Sequence, residues 1–160
     1  MSNQSTAVVG TSASGKSFNS KLIWSAVSAA IFIAVSAPQV YTQTSRITTT
    51  ASENCPTPEG KFIHAALFFA INYFVMKIAS NQKWMNMEGK PDGLLAKYAF
   101  YGTLLFFLVS SSDTYRLTGK LISGLANESG CPEMKGVIVH GLVFLVLLVL
   151  IMYFPKDQWE

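Results

Sequence analysis

The side chains of this chain that could do chemistry are few, and they come in matched pairs. Cys55 and Cys131 are each followed by proline, and His64 and His140 each close the pattern C-P-x3-G-x3-H begun by those cysteines. Thiol exchange needs an attacking and a resolving thiol close together, as in C-x-x-C, and neither Cys-Pro site has a second thiol nearby. The pair therefore predicts one disulfide, with free thiols as the outcome in a reducing compartment. Two histidines on facing helices are what a bis-histidine haem requires. The plainer alternative is an imidazole that hydrogen-bonds a neighbouring helix or a lipid headgroup, and no further haem-associated or metal-ligand signal accompanies them.

Three other patterns invite a chemical reading. The run from Gly10 to Ser17 matches G-x4-G-K-[ST], the phosphate-binding loop. That loop works only between a sheet strand and a helix, and here a short Ser- and Gly-rich lead and an apolar block flank it, so nucleotide binding is set aside. Asn127-Glu128-Ser129 is a glycosylation acceptor close to an apolar block; Asn3-Gln4-Ser5 is another, on the opposite side. Asn72 is a polar residue in the middle of an apolar stretch, where an interhelical hydrogen bond is the simpler role and an ion path the more demanding one.

The elements that must position these groups are apolar. Half the residues are hydrophobic and 13% are charged, too few charges for an ordinary soluble surface. The apolar residues fall in four blocks, 22–41, 62–80, 94–112 and 137–154. At about 1.5 Å per residue each block spans a hydrocarbon core about 30 Å thick. Four buried core helices in so short a chain would leave too little polar surface to enclose them. Lys77 and Lys97 lie near block ends, where they can snorkel, and Trp24, Tyr41, Tyr73, Tyr98, Tyr101, Tyr115 and Tyr153 read as interfacial anchors. Block one carries Ala34-Val35-Ser36-Ala37, a signal-peptidase-like site, but its polar lead is long and the repeat described next needs it as a helix.

The halves are two copies of one unit. Val35-Ser36, Tyr41, Thr44, Arg46 and Ile47 match Val109-Ser110, Tyr115, Thr118, Lys120 and Leu121 at an offset of 74 (115 − 41). Cys55-Pro56, Gly60 and His64 match Cys131-Pro132, Gly136 and His140 at an offset of 76 (131 − 55), a two-residue insertion. The fold class predicted is all-α: an integral membrane four-helix bundle of two tandem helical hairpins, 21–80 and 94–160, related by a pseudo-two-fold axis along the membrane normal. That axis brings Cys55 towards Cys131 and His64 towards His140. Leu117, Leu121 and Leu125, with Ile122, predict that the third helix continues past the bilayer as an amphipathic extension ended by Asn127 to Gly130. The first copy extends more briefly, towards Ile47, with a kink at Pro38 near the membrane surface, and the two extensions together predict a small ordered cap.

Residues 1–20 read as a flexible arm, and the loop 81–93, with Trp84, Met85 and Met87, as an interfacial segment or partner contact. With both termini cytoplasmic, that side holds Lys16, Lys21, Lys77, Lys83, Lys90, Lys97 and Lys156 against Arg46, Lys61, Arg116, Lys120 and Lys135. The bias agrees with the positive-inside rule. The net charge of +3 suits a membrane surface and does not call for nucleic acid.

No spacing assembles an active site, so a non-enzymatic, structural protein is the reading. The four-block layout, the Ser- and Thr-rich arm and the Cys-Pro loops resemble the small multi-span virion-membrane and minor capsid proteins of large double-stranded DNA viruses. That resemblance implies a scaffold in an internal virion membrane, anchoring the capsid to the bilayer, with capsid or membrane proteins as partners; further copies of this chain are a separate candidate partner. The alternatives are a haem-binding electron carrier using His64 and His140, and a channel or transporter subunit.

Overall fold

The computed structural model describes residues 12–52, 55–81 and 90–152. The Trp84 segment, the C-terminal tail from residue 153, Asn3 and the first part of the arm lie outside them. Among the described residues the order is α1 (Ser12–Ser36), α2 (Pro38–Thr44), β1 (Ala51–Ser52), β2 (Cys55–Pro56), α3 (Pro58–Ser80), α4 (Asp92–Val109), α5 (Ser112–Leu121) and α6 (Met134–Ile151). Four of these helices, α1, α3, α4 and α6, are long and apolar enough to cross a membrane. The chain is an all-α integral membrane bundle.

Two boundaries differ from expectation. Helix α1 starts at Ser12, so the second half of the arm is helical, and Ser12 to Ser17 of the phosphate-loop look-alike lie in a helix rather than a loop. The third span does not run on into the cap. Helix α4 ends at Val109, and α5 restarts under a new N-cap, Ser111, whose hydroxyl accepts the Thr114 N–H at 3.2 Å. Ser111 matches Ala37 at the offset of 74, and there Pro38 at the first helical position makes the same break. Each copy is thus span, break, short cap helix, turn and span.

The cap sits lower than a free extension would. Thr118 of α5 bonds to His140, six residues into α6, about 9 Å below its start at 1.5 Å per residue. From there the chain climbs to Leu125, whose carbonyl accepts the Glu133 N–H at 3.1 Å. The first copy does the same, from Thr44 at His64 to Thr50, whose carbonyl accepts the Thr57 N–H at 3.0 Å. Both cap helices therefore lie beside the first two turns of the returning spans.

Packing follows the pseudo-two-fold. Helix α3 packs most extensively on α4 and α1 on α6, and these two contacts are symmetry equivalents; the contacts inside each hairpin, α1 with α3 and α4 with α6, are smaller. The larger interfaces are thus between the hairpins rather than within them. At the centre stand Phe32, Phe68, Phe106 and Phe144, all fully buried. Phe106 is Phe32 plus 74, and Phe144 is Phe68 plus 76. The equivalent pairs Phe32–Phe144 and Phe68–Phe106 stack at 4.9 and 4.7 Å, and the pairs across the axis, Phe32–Phe106 and Phe68–Phe144, meet edge-on at 5.3 and 5.7 Å. Offset and edge-to-face rings are the arrangements the aromatic quadrupole favours. A second cluster, Trp24, Met76, Ala79, Leu95 and Ala99, fills the other end of the bundle, where Lys77 pairs with Asp92 across the α3 and α4 ends.

Three residues expected as interfacial anchors are core residues instead. Trp24, Tyr41 and Tyr115 are buried, because bundle packing and, for the tyrosines, a histidine ring offer a closer partner than the headgroups.

Candidate functional site

The residues of both repeat motifs converge on one arrangement, built twice. In the first copy the Tyr41 ring lies flat on His64, with centroids 3.6 Å apart and planes within 4°. His64 Nδ1 is 2.8 Å from the Val35 carbonyl and Nε2 is 2.9 Å from Thr44 Oγ1. In the second, Tyr115 lies on His140 at 3.9 Å and 2°, Nδ1 is 2.9 Å from the Val109 carbonyl, and Nε2 is 2.8 Å from Thr118 Oγ1. Thus the motif residues Val, Tyr, Thr and His form a clamp joining the end of one span, the cap helix and the start of the returning span.

The protons follow from the partners. A carbonyl only accepts, so Nδ1 carries hydrogen in both rings; a neutral ring is then an acceptor at Nε2, and the threonine hydroxyl donates to it. The same hydroxyls lie within reach of helix carbonyls, Thr44 of Val40 and Tyr41, and Thr118 of Thr114 and Tyr115, which already accept helical N–H groups. Only the first copy adds a third hydroxyl: Thr50 Oγ1 is 2.7 Å from Thr44 Oγ1 and 2.9 Å from the Tyr41 carbonyl. Leu125 occupies that place in the second copy.

Both glycines of the motif answer to the same turn. A Cβ on Gly60 would collide with the Thr50 carbonyl and stand 2.6 Å from its Cα, and a Cβ on Gly136 would collide with the Leu125 carbonyl. Since 125 − 50 is 75, the two-residue insertion enters in two single steps, one on each side of this contact. The turns end alike, β1 pairing Ala51 with Pro56 and an isolated bridge pairing Ala126 with Pro132. Cys55 and Cys131 are joined in a disulfide, Cα atoms 5.0 Å apart, linking equivalent positions of the two copies.

The clamps flank the axis just beyond the phenylalanines. Ser36 and Ser110 stand four residues after Phe32 and Phe106, on the same helix faces. Their hydroxyls and that of Tyr115 are buried with no hydrogen-bond partner among the described residues. Burial pushes both phenols, Tyr41 and Tyr115, well above the ordinary tyrosine range, and Tyr41 lies close enough to raise Tyr115 further.

The remaining singled-out residues have other places. Asn72 Oδ1 accepts the Ser28 hydroxyl at 2.7 Å and its amide donates to the Phe68 carbonyl at 3.0 Å. Their counterparts are Leu148 and Gly102, so the second copy fills the same crossing with a large and a small residue. Arg46 and Lys120 are exposed beside the cap turns. Asn127 is exposed in a turn, and its Oδ1 accepts the Cys131 N–H at 2.8 Å. Neither histidine takes the other as partner. A bis-histidine haem requires a bare nitrogen on each ring, and iron would have to displace Thr44 and Thr118. Among the described residues no three His, Cys, Asp or Glu side chains gather as a metal site. Sequence reading missed the phenylalanine quartet, although the offsets of 74 and 76 mark it. Comparison with family models, with curated proteins and with solved structures finds no match to this chain.

Proposed function

We propose that this chain is a structural, non-catalytic membrane protein: a rigid, two-fold unit that fixes a polar cap on one face of a bilayer as a docking point for neighbouring proteins. The observation that carries this reading is how the reactive side chains are used. Both nitrogens of both histidines and the two buried tyrosine rings hold the cap to the spans, both thiols tie its two copies together, and four phenylalanines fill the axis that a central pathway would need. Buried imidazoles with both nitrogens paired rigidify a fold, which is what a scaffold requires, although the hydroxyls of Ser36, Ser110 and Tyr115 beside them have no partner among the described residues. The polar turns around Asn127 and Thr48, above the clamps, are the surface such a cap offers.

The setting we propose is the internal membrane of a large double-stranded DNA virus, with the cysteine-bearing face turned away from the cytoplasm and capsid or membrane proteins as neighbours. The Ser- and Thr-rich arm and the Cys-Pro loops support it. Quantitative proteomics of purified particles is the test: the scaffold reading predicts a fixed copy number relative to the capsid protein and loss of assembly when residues 1–11, which precede α1, are deleted. Absence from particles would overturn the viral setting. A purified protein with a Soret band lost in His64→Ala and His140→Ala would overturn the structural reading itself.

A further inference from the structure

The second cap helix carries an apolar face that no other described residue covers. Leu117, Leu121 and Ile122 are 62%, 78% and 56% exposed, although Tyr115, Thr118 and Leu125 of the same segment turn inward. Ile47, the equivalent of Leu121, is 89% exposed. In water such a row on an otherwise polar cap would be unfavourable.

The depth of the cap says what covers it. Thr118 lies level with His140, about 9 Å into α6, and Leu125 level with Gly136, so Leu117 to Ile122 run beside the first two turns of a membrane-spanning helix. At that level α3 and α6 present Phe62, Ile63, Met134 and Ile138 outward, all exposed and apolar. The apolar face of α5 is therefore continuous with the lipid-facing belt of the spans. Lys120, exposed on the same helix, flanks it with a stem long enough to carry its charge to the headgroups, while the Arg116 stem packs against Gly130 of the turn.

We infer that α5 is an interfacial helix, its Leu117, Leu121 and Ile122 face seated at the headgroup and acyl boundary of the leaflet on the cysteine-bearing side, with Ile47 entering the same leaflet from the first copy. The occupant of this surface is lipid. The cap is then a collar embedded in one leaflet, and only its turns project into water. This rests on the spanning of the four helices and is independent of the viral setting.

Single cysteines introduced as Leu117→Cys, Leu121→Cys, Glu128→Cys and Val143→Cys, with Cys55 and Cys131 left paired, can carry a nitroxide in proteoliposomes. The probes are molecular oxygen, which partitions into lipid, and a water-soluble nickel chelate. The expected result is an oxygen-to-nickel accessibility ratio at 117 and 121 close to that at lipid-facing Val143 and several-fold above that at Glu128 in the turn. A ratio like that of Glu128 would overturn the inference, as would labels inaccessible to both probes or spin broadening relieved by diluting the protein in lipid, which report a protein partner and a second copy. A nickel-accessible Val143 would instead overturn the spanning on which both readings stand. Ile47→Cys repeats the test should either leucine variant fail to fold.

Discussion

Replacing Thr118 by valine tests the clamp with almost no change of shape. His140 is 1% exposed, its Nδ1 is committed to the Val109 carbonyl, and Thr118 Oγ1, at 2.8 Å, is the donor facing Nε2. Tautomer exchange cannot compensate, because a proton moved to Nε2 would leave Nδ1 facing a carbonyl that also only accepts. The valine variant thus strands a buried acceptor, and a stranded buried polar group costs about 1–3 kcal/mol. The carbonyls of Thr114 and Tyr115, also near the hydroxyl, keep their helical N–H partners and add little. Thr103→Val is the matched control: Thr103 Oγ1 bonds only back to the Ala99 carbonyl at 2.8 Å, and its loss is expected to be near neutral. Equilibrium unfolding in mixed micelles should rank the proteins as wild type, Thr103→Val and Thr118→Ser together, with Thr118→Val below. Thr44→Val should fall at least as far as Thr118→Val, since it strands His64 in the same way and also removes the hydroxyl facing Thr50. If Thr118→Val unfolds with Thr103→Val, the histidine does not depend on this hydroxyl and the clamp is misread.

Gly60→Ala and Gly136→Ala each drive a methyl into a backbone carbonyl, which no rotamer change relieves; each is expected to cost about 1–3 kcal/mol or more, read as a lowered thermal midpoint, whereas Gly93→Ala, which meets nothing within 4 Å, is tolerated. Phe32→Ala and Phe106→Ala remove equivalent rings from the quartet and should each destabilise by about 3–5 kcal/mol, with a double variant that departs from additivity because the rings touch. The buried tyrosines give the fold an alkaline limit. Their folded-state values are raised above the ordinary 10.0, so this contribution is intact below pH 10 and is lost as pH rises beyond it. Tyr115→Phe, which also removes a hydroxyl with no partner among the described residues, should leave stability at neutral pH unchanged or higher and lessen the alkaline loss, followed by unfolding between pH 8 and pH 11 as a rough window around the ordinary tyrosine value.

Much of the architecture was legible because the two copies preserve residues whose roles depend on side-chain identity. Tyr41, Thr44, Gly60 and His64 recur as Tyr115, Thr118, Gly136 and His140, and each pair occupies one geometry. What joins them was not legible. Tyrosines at block ends read equally well as membrane anchors, and stacking on a histidine twenty-three residues away (64 − 41) leaves no local pattern. The break between α4 and α5 was hidden because a run of serines does not forbid a helix as proline does; the proline of the first copy carried that information for both. Thr50 and Leu125 are equivalent through their carbonyls alone, so the turn that makes both glycines obligatory could not be found by matching side chains. The phenylalanines were hidden among other apolar residues of the spans, where composition says little about which side faces a partner.

Two copies of one unit are locked together at equivalent positions, and the disulfide is the point where that lock can be measured directly. Membranes solubilised in alkylating agent, digested without reduction and mapped by mass spectrometry should yield a linked pair of peptides containing Cys55 and Cys131, which separates on reduction. Recovery of both cysteines as alkylated free thiols would contradict the covalent link between the two repeats.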